Sequence, residues 1–142
     1  MHPLKDVVAL GTEESNLGAD VARAAAAMSL RVSPDPEPEE AYFVRSDNFN
    51  FVKKGIPAAQ IFNGMAGLTP EQQQAEKAWW RTRYHQPQDE YEPQRDWGPF
   101  AELTRFNFFL GVSIAERPDR PTWNAGSWFR RFPEPPHPGE PD

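Results

Sequence analysis

A chain of 142 residues with no cysteine and a formal net charge of −6 is long enough for one domain with its own core. The acidic balance argues against nucleic acid and membranes as partners, because both select a basic surface, and the absence of cysteine excludes disulfides, thiolate metal ligands and thiol nucleophiles. Mean hydropathy is −0.76 and there are 16 prolines, yet aromatic residues make up 13%, so the composition is not that of a disordered chain.

The first third of the chain predicts a strand, a helix and a second strand. Residues 6–10 (DVVAL) form a short apolar run typical of a buried strand. Ser15 predicts the N-cap of a helix that runs to about Ser29. Its apolar residues share one face: Leu17, Val21, Ala25 and Met28. Residues 30–33 predict another short strand, and the acidic, proline-rich stretch SPDPEPEE that follows predicts a loop without regular structure.

The middle of the chain predicts a short helix, a strand and a longer helix. Ser46 is positioned to cap a helix over residues 47–54, which Gly55 would end in the left-handed conformation. Residues 58–62 then predict a strand. Thr69 and Gln72 form a capping-box pattern for a helix through Trp80.

The last third predicts a loop, a long helix and a tail. The loop is HQPQDEYEPQRD, and the helix runs from about Trp97 to Glu116. Apolar side chains recur on one side of that helix: Phe100, Leu103, Phe106, Leu110 and Ile114. Residues 131–142 predict a disordered, proline-rich tail. No apolar stretch approaches the roughly 20 residues of a membrane span, and the N-terminal apolar run is too short for a signal peptide.

This order of strands and helices predicts the fold class. Alternating strands and helices indicate an α/β protein with a parallel sheet covered by helices on both faces. Two or three strands with two long helices would make only part of such a structure. We therefore predict a partial three-layer α/β/α sandwich with an incomplete, mostly parallel sheet.

Candidate chemistry centres on His85, in the stretch RYHQPQDEYEP. A loop histidine of this kind either hydrogen-bonds a neighbour or binds a metal such as zinc, and spacing alone leaves both interpretations open. Asp89 could help to organise the loop. His2 and His137 lie near the chain ends and offer no convincing second nitrogen ligand.

Other polar and aromatic residues have structural alternatives. Glu13 and Glu14 could act as general base and metal ligand, or could be solvated charges at a helix start. Asp35 could be a further ligand, or a solvated residue between prolines. No Gly-x-Ser-x-Gly elbow surrounds Ser46, which argues against a serine hydrolase. Three aromatic residues are interpreted as packing that could also line a cleft: Phe51, Trp79 and Trp80.

Four segments together resemble the C-terminal half of the M28 family of di-zinc, aminopeptidase-type peptidases. They are DVVALG, SPDPEPEEAYFVRSDNFNFVKKGIPA, TRYHQPQDEYEP and RPTWNAGSWF. The second and third are the most specific, because family members carry Arg-Ser-Asp-His and Tyr-His-x-Pro-x-Asp there. The resemblance covers about residues 5–130 and implies that residues 1–130 form the C-terminal portion of a peptidase domain.

The resemblance implies roles for four residues. His85 matches a zinc ligand, and Tyr84 matches the tyrosine that hydrogen-bonds the oxyanion of the tetrahedral intermediate. Asp47 matches an aspartate close to the site, and Asn48 stands where relatives commonly have histidine, so both are implied substrate-binding positions. The intact enzyme would hold two zinc ions and hydrolyse peptide bonds at free N-termini. Relatives are often exported, and the compartment of this chain stays open.

The family's other metal ligands and its catalytic glutamate pair precede the strand that matches DVVALG. We therefore expect a truncation, gene fragment or partial reading frame that holds one zinc ligand and is inactive alone. In this alignment Glu13 and Glu14 lie downstream of the catalytic pair. One alternative is a non-catalytic module that complements a separately encoded N-terminal half, with the edge of residues 6–10 exposed for pairing. A third hypothesis is a complete small hydrolase that uses Glu13, Glu14, Asp35 and His85.

Overall fold

A computed structural model describes residues 4–133 and has a mixed α/β architecture. His2, His137 and most of the predicted tail lie outside the described residues. Three strands are described: β1 (Asp6–Leu10), β2 (Arg31–Ser33) and β3 (Gln60–Asn63). Five α-helices are described: α1 (Leu17–Ala27), α2 (Tyr42–Arg45), α3 (Asn48–Val52), α4 (Pro70–Thr82) and α5 (Gly98–Ala115). Short 3-10 helices cover Thr12–Glu14, Pro38–Glu40 and Trp128–Arg131. None of the described helices is both long and apolar enough to cross a membrane.

The three strands form one sheet in the order β2-β1-β3. β1 and β2 are parallel, and Val7 lies opposite Val32. β1 and β3 are antiparallel, and Val7 lies opposite Asn63. The sheet is therefore mixed, and the prediction of a mostly parallel sheet was wrong. The connection between β2 and β3 contains only short helices: the 3-10 helix Pro38–Glu40, α2 of four residues and α3 of five. Parallel strands are usually joined by a long crossover helix, and this connection has none among its elements. The chain therefore runs through β3 in the direction opposite to β1 and β2.

β1 is the central strand and is buried along its whole length. Since β2 and β3 pair with its two edges, the expectation that residues 6–10 expose an edge was wrong. A five-residue strand of almost only apolar residues is favoured at the centre of a sheet, where both faces are covered. The outer edges of the described sheet belong to β2 and β3.

α1 and α5 pack on one face of the sheet and form the main core. The buried members of this core are Leu4, Val7, Ala9, Val21, Ala25, Phe106 and Leu110. The predicted apolar faces of both helices are confirmed, because Met28, Leu103 and Ile114 also pack against this cluster. Phe100 differs from the prediction, since it is partly exposed and lines a cavity.

A second cluster ties the segment after α5 to α3. Its buried residues are Val52, Trp123 and Phe129. The Trp123 indole Nε1 donates a hydrogen bond to the carbonyl of Gly55 at 3.1 Å. Gly55 has φ of 76°, which confirms the predicted left-handed end of the preceding helix. The turn between α3 and β3 is thus held by residues about 70 positions later in the chain.

The predicted helix caps were partly correct. The capping box of Thr69 and Gln72 is confirmed at the start of α4. Ser15 lies one residue before the actual N-cap, Asn16, and forms a β-bridge with Trp123. The Ser46 hydroxyl donates to the carbonyl of Phe43 at 2.8 Å and does not cap α3. The acidic loop, predicted to be irregular, contains the 3-10 helix Pro38–Glu40, because proline is compatible with a first helical turn.

Candidate functional site

The loop that carries the Tyr-His pair begins where α4 ends and is organised by Arg83. The Arg83 guanidinium donates to the carbonyl of Gln88 through Nε at 3.2 Å and Nη2 at 2.9 Å. Its Nη1 also forms an ion pair with Glu92. Asp89 contributes one backbone hydrogen bond, from its N–H to the carbonyl of Gln86 at 2.9 Å. Arg83 was not singled out in the sequence, although it directly precedes the Tyr-His pair.

His85 projects from this loop as an exposed side chain in a rarely adopted backbone conformation. Its φ of 57° lies in the left-handed region, which costs free energy for a residue with a Cβ atom and occurs often at functional positions. The imidazole stacks on the Tyr84 ring, with centroids 3.8 Å apart and an interplanar angle of 22°. Because the His85 side chain is exposed, a ring nitrogen is accessible to a metal ion or a hydrogen-bond partner.

Tyr84 is fixed by aromatic neighbours on α4. Its ring centroid lies 4.4 Å from that of Trp80 and 6.1 Å from that of Trp79. The three rings and the stacked imidazole form a continuous aromatic group at the end of α4. The side chain of Tyr84 is 38% exposed and lines a cavity of about 630 Å³, the larger of the two described below.

Asp47 and Asn48 lie at the start of α3, and neither lines the cavity that Tyr84 lines. The Asn48 amide Nδ2 donates to the carbonyl of Ala59 at 3.1 Å, which links α3 to the segment before β3. Asp47 is exposed, and its side chain makes no capping hydrogen bond. This hydrogen bond gives Asn48 a structural contact, and the substrate-binding roles of Asp47 and Asn48 stay predictions.

Glu13, Glu14 and Asp35 line a second cavity, of about 550 Å³, and His85 is not among its lining residues. The backbone carbonyls of Glu13 and Glu14 accept hydrogen bonds from the side chain and backbone N–H of Asn124, each at 2.8 Å. Among residues 4–133, no group of three or more histidine, aspartate and glutamate side chains is arranged to hold a metal ion. The described donor set therefore does not fit a zinc site, which takes about three protein ligands or more.

The larger cavity has a volume of about 630 Å³ and lies between the sheet and α4. Val8 and Phe62 of the sheet and Trp79 and Trp80 of α4 are among its lining residues. The Tyr-His loop contributes Tyr84 and Asp89, and the start of α5 contributes Phe100. Trp79 and Trp80 were predicted to pack and to border a cleft, and they line this cavity. Phe51, also predicted to pack, is 58% exposed on the short helix α3.

Tyr42 and Glu37 line this cavity near several charged side chains. The pKa of Tyr42 is raised above its ordinary value, first by burial and then by the negative charges of Glu37 and Glu40, with Arg45 opposing them. Glu37 in turn forms ion pairs with Lys77 at 3.8 Å and Arg81 at 3.1 Å, which join the acidic loop to α4.

Comparison with known protein families gives one match. The family model described as "Peptidase family M28" matches residues 2–107, which is more than half of the chain and includes both Tyr84 and His85. The chain therefore belongs to peptidase family M28. Neither the curated proteins nor the solved structures searched contain a match.

Proposed function

We propose that this chain contributes the C-terminal portion of a zinc-dependent exopeptidase that hydrolyses peptide bonds at free N-termini. The carrying observation is the family match over residues 2–107, which includes an exposed Tyr84–His85 pair on an ordered loop. In this proposal residues 1–130 are the peptidase portion. His85 is a zinc ligand, and Tyr84 donates a hydrogen bond to the oxyanion of the intermediate. Asp47 and Asn48 are proposed substrate-binding positions.

The ligand count leads us to propose that the chain is inactive alone. A catalytic zinc takes about three protein ligands or more, and the described residues supply one convincing donor in His85. A two-zinc site would also need further carboxylate ligands, and its chemistry would need a nearby proton acceptor. Under this proposal the remaining donors belong to the N-terminal half of the family's domain, which precedes the segment that residues 6–10 match.

We expect the purified chain with added zinc to leave an aminoacyl-p-nitroanilide unhydrolysed above the rate of zinc alone. The assay follows release of p-nitroaniline. His85→Asn is the appropriate ligand-removal variant, because asparagine tolerates the left-handed backbone at this position better than alanine does. Gln86→Ala is the matched control in the same loop. Hydrolysis that is lost in His85→Asn and kept in Gln86→Ala would contradict the proposal.

The second candidate is a non-catalytic module that complements a separately encoded N-terminal half. It is favoured by apolar side chains on the outer side of α5, where Phe108 is 65% exposed and Phe109 is 52% exposed. The outer edges of β2 and β3 add unpaired backbone groups within the described sheet. Co-expression with a polypeptide encoded upstream distinguishes the two: a complex that gains peptidase activity supports the exopeptidase, and a stable inactive complex supports the module.

A further inference from the structure

The cavity between the sheet and α4 has the dimensions of a small-molecule site. Its volume of about 630 Å³ falls within the range of ligand pockets, roughly 300–1,000 Å³. Val8, Leu10 and Phe62 provide an apolar wall from the sheet. α4 provides Trp79 and Trp80, although no residue of α4 is fully buried. The helix therefore borders the cavity without filling it.

The aromatic side chains of the cavity form two groups of ring contacts, one around Trp80 and one around Trp97. The Phe62 and Trp80 rings meet edge to face, with centroids 6.2 Å apart and an interplanar angle of 89°. Trp79 and Trp80 also meet edge to face, at 5.7 Å and 88°. Tyr84 lies against Trp80, and Trp97 lies 5.3 Å from Phe100. Aromatic faces carry partial negative charge, so several such rings around one space favour a cation.

Carboxylates outnumber basic groups around the same space. The acidic lining residues are Asp35, Glu37, Glu76, Asp89, Glu90, Glu92 and Asp96, and the basic ones are Lys5 and Arg95. Within residues 4–133, Asp35, Asp89 and Glu90 form no ion pair. Tyr42 also lines the cavity, and its pKa is raised first by burial and then by the negative charges of Glu37 and Glu40. The cavity is therefore complementary to a positively charged group.

Arg95 provides an independent observation, because the positively charged guanidinium of this lining residue already lies against aromatic rings of the cavity. Its guanidinium carbon lies 5.0 Å from the ring centroid of Trp79 and 5.2 Å from that of Phe100. A guanidinium nitrogen lies 3.6 Å from a carboxylate oxygen of Glu76. Two aromatic rings and one carboxylate thus surround a cationic group at the wall of the cavity. The same combination can bind a cation supplied by a ligand.

We propose that this cavity binds an organic cation, an ammonium or guanidinium group attached to an apolar body. The apolar body would contact Val8, Phe62 and Trp80, and the charge would face Asp89 and Glu90. A free amine or a lysine or arginine side chain of a peptide can supply this chemistry. The inference deepens the proposed function and rests on it where the cation is a free amine, because Tyr84 lines the same cavity. Binding itself would require neither zinc nor His85, so a binding measurement can succeed or fail separately from peptidase activity.

The test is titration calorimetry on the full chain with three probes of similar size. We expect phenethylammonium to bind about tenfold more tightly than 3-phenylpropionate, with neutral 2-phenylethanol between them, and we expect added salt to weaken the binding of the cation. N-acetyl-L-arginine amide tests a peptide side chain without a free N-terminus. Binding of both cations assigns the cavity to peptide side chains as well as amines, whereas binding of phenethylammonium alone assigns it to free amines.

Variants locate the binding in the cavity. Trp80→Leu removes an aromatic face and is expected to weaken phenethylammonium about two- to fivefold. The double change Asp89→Asn with Glu90→Gln is expected to reduce the preference for the cation over the anion. Trp128→Ala and Glu39→Gln are matched controls outside the lining, expected to bind like the parent chain. The proposal is overturned if the anion binds as tightly as the cation, or if phenethylammonium shows no binding at about 1 mM.

Discussion

Replacing Phe106 with alanine is expected to lower the free energy of unfolding by about 3–5 kcal/mol. Phe106 is fully buried in the core that α5 forms with α1 and the sheet. The change removes the apolar contacts of the ring and leaves a cavity that the surrounding helices and strand can only partly fill. Urea unfolding followed by circular dichroism measures the loss, provided that both proteins unfold in a single transition.

Phe109→Ala is the matched control for this measurement. The two phenylalanines lie three residues apart on α5, and Phe109 is 52% exposed. Its loss is expected to change stability by about 0.5 kcal/mol or less. An equal loss in the two variants would contradict the assignment of Phe106 to the core and Phe109 to the outer face of α5.

Replacing Arg117 with methionine is expected to cost about 3 kcal/mol of stability, the second large effect. Asp20 on α1 is fully buried and pairs with both Arg117 and Arg23. The Arg117 side chain is 20% exposed and that of Arg23 is 63% exposed, so Arg117 is the partner shielded from water. Removing it leaves a carboxylate in the core with a solvated partner only, and breaking a buried pair in this way is costly.

Arg23→Met is the control for the ion pair. Because Arg23 is exposed, its loss is expected to change the free energy of unfolding by about 0–1 kcal/mol. Both variants are compared with the parent chain by the same urea unfolding. If Arg23→Met destabilises the chain as much as Arg117→Met does, the pairing of Asp20 with Arg117 is not the contact that joins α1 to the end of α5.

The local elements of the fold could be predicted because their signals lie within short windows. The apolar run of residues 6–10, the apolar face of α1 and the capping box of Thr69 each depend on neighbours in sequence. The direction of β3 depends on how residues 34–59 fold, which no short pattern reveals. Ser46 does not cap its helix, since its hydroxyl donates to the carbonyl of Phe43. The N-cap of α1 is Asn16, although the Ser15 hydroxyl accepts a hydrogen bond from the Leu17 N–H at 3.4 Å.

The site could be predicted only in part, and only through the resemblance. The Tyr84–His85 pair could be identified because it matches a short family motif. The spacing of His85 from other histidines and carboxylates does not by itself indicate a metal ligand. The larger cavity could not be predicted, because residues from Leu4 to Leu103 line it and come together only in the folded chain. Arg83 and Arg95 were missed for the same reason: their importance lies in contacts with Glu92 and Glu76.

The central claim is that this chain supplies one imidazole to a binuclear zinc centre whose other donors come from elsewhere. Metal analysis of the purified chain, after equilibration with zinc and removal of unbound metal, tests it directly. We predict far less than one zinc per chain, in the parent and in His85→Asn alike. About one zinc per chain, lost both in His85→Asn and when Glu13, Glu14 and Asp35 are replaced, would contradict the claim and indicate a complete small metal site.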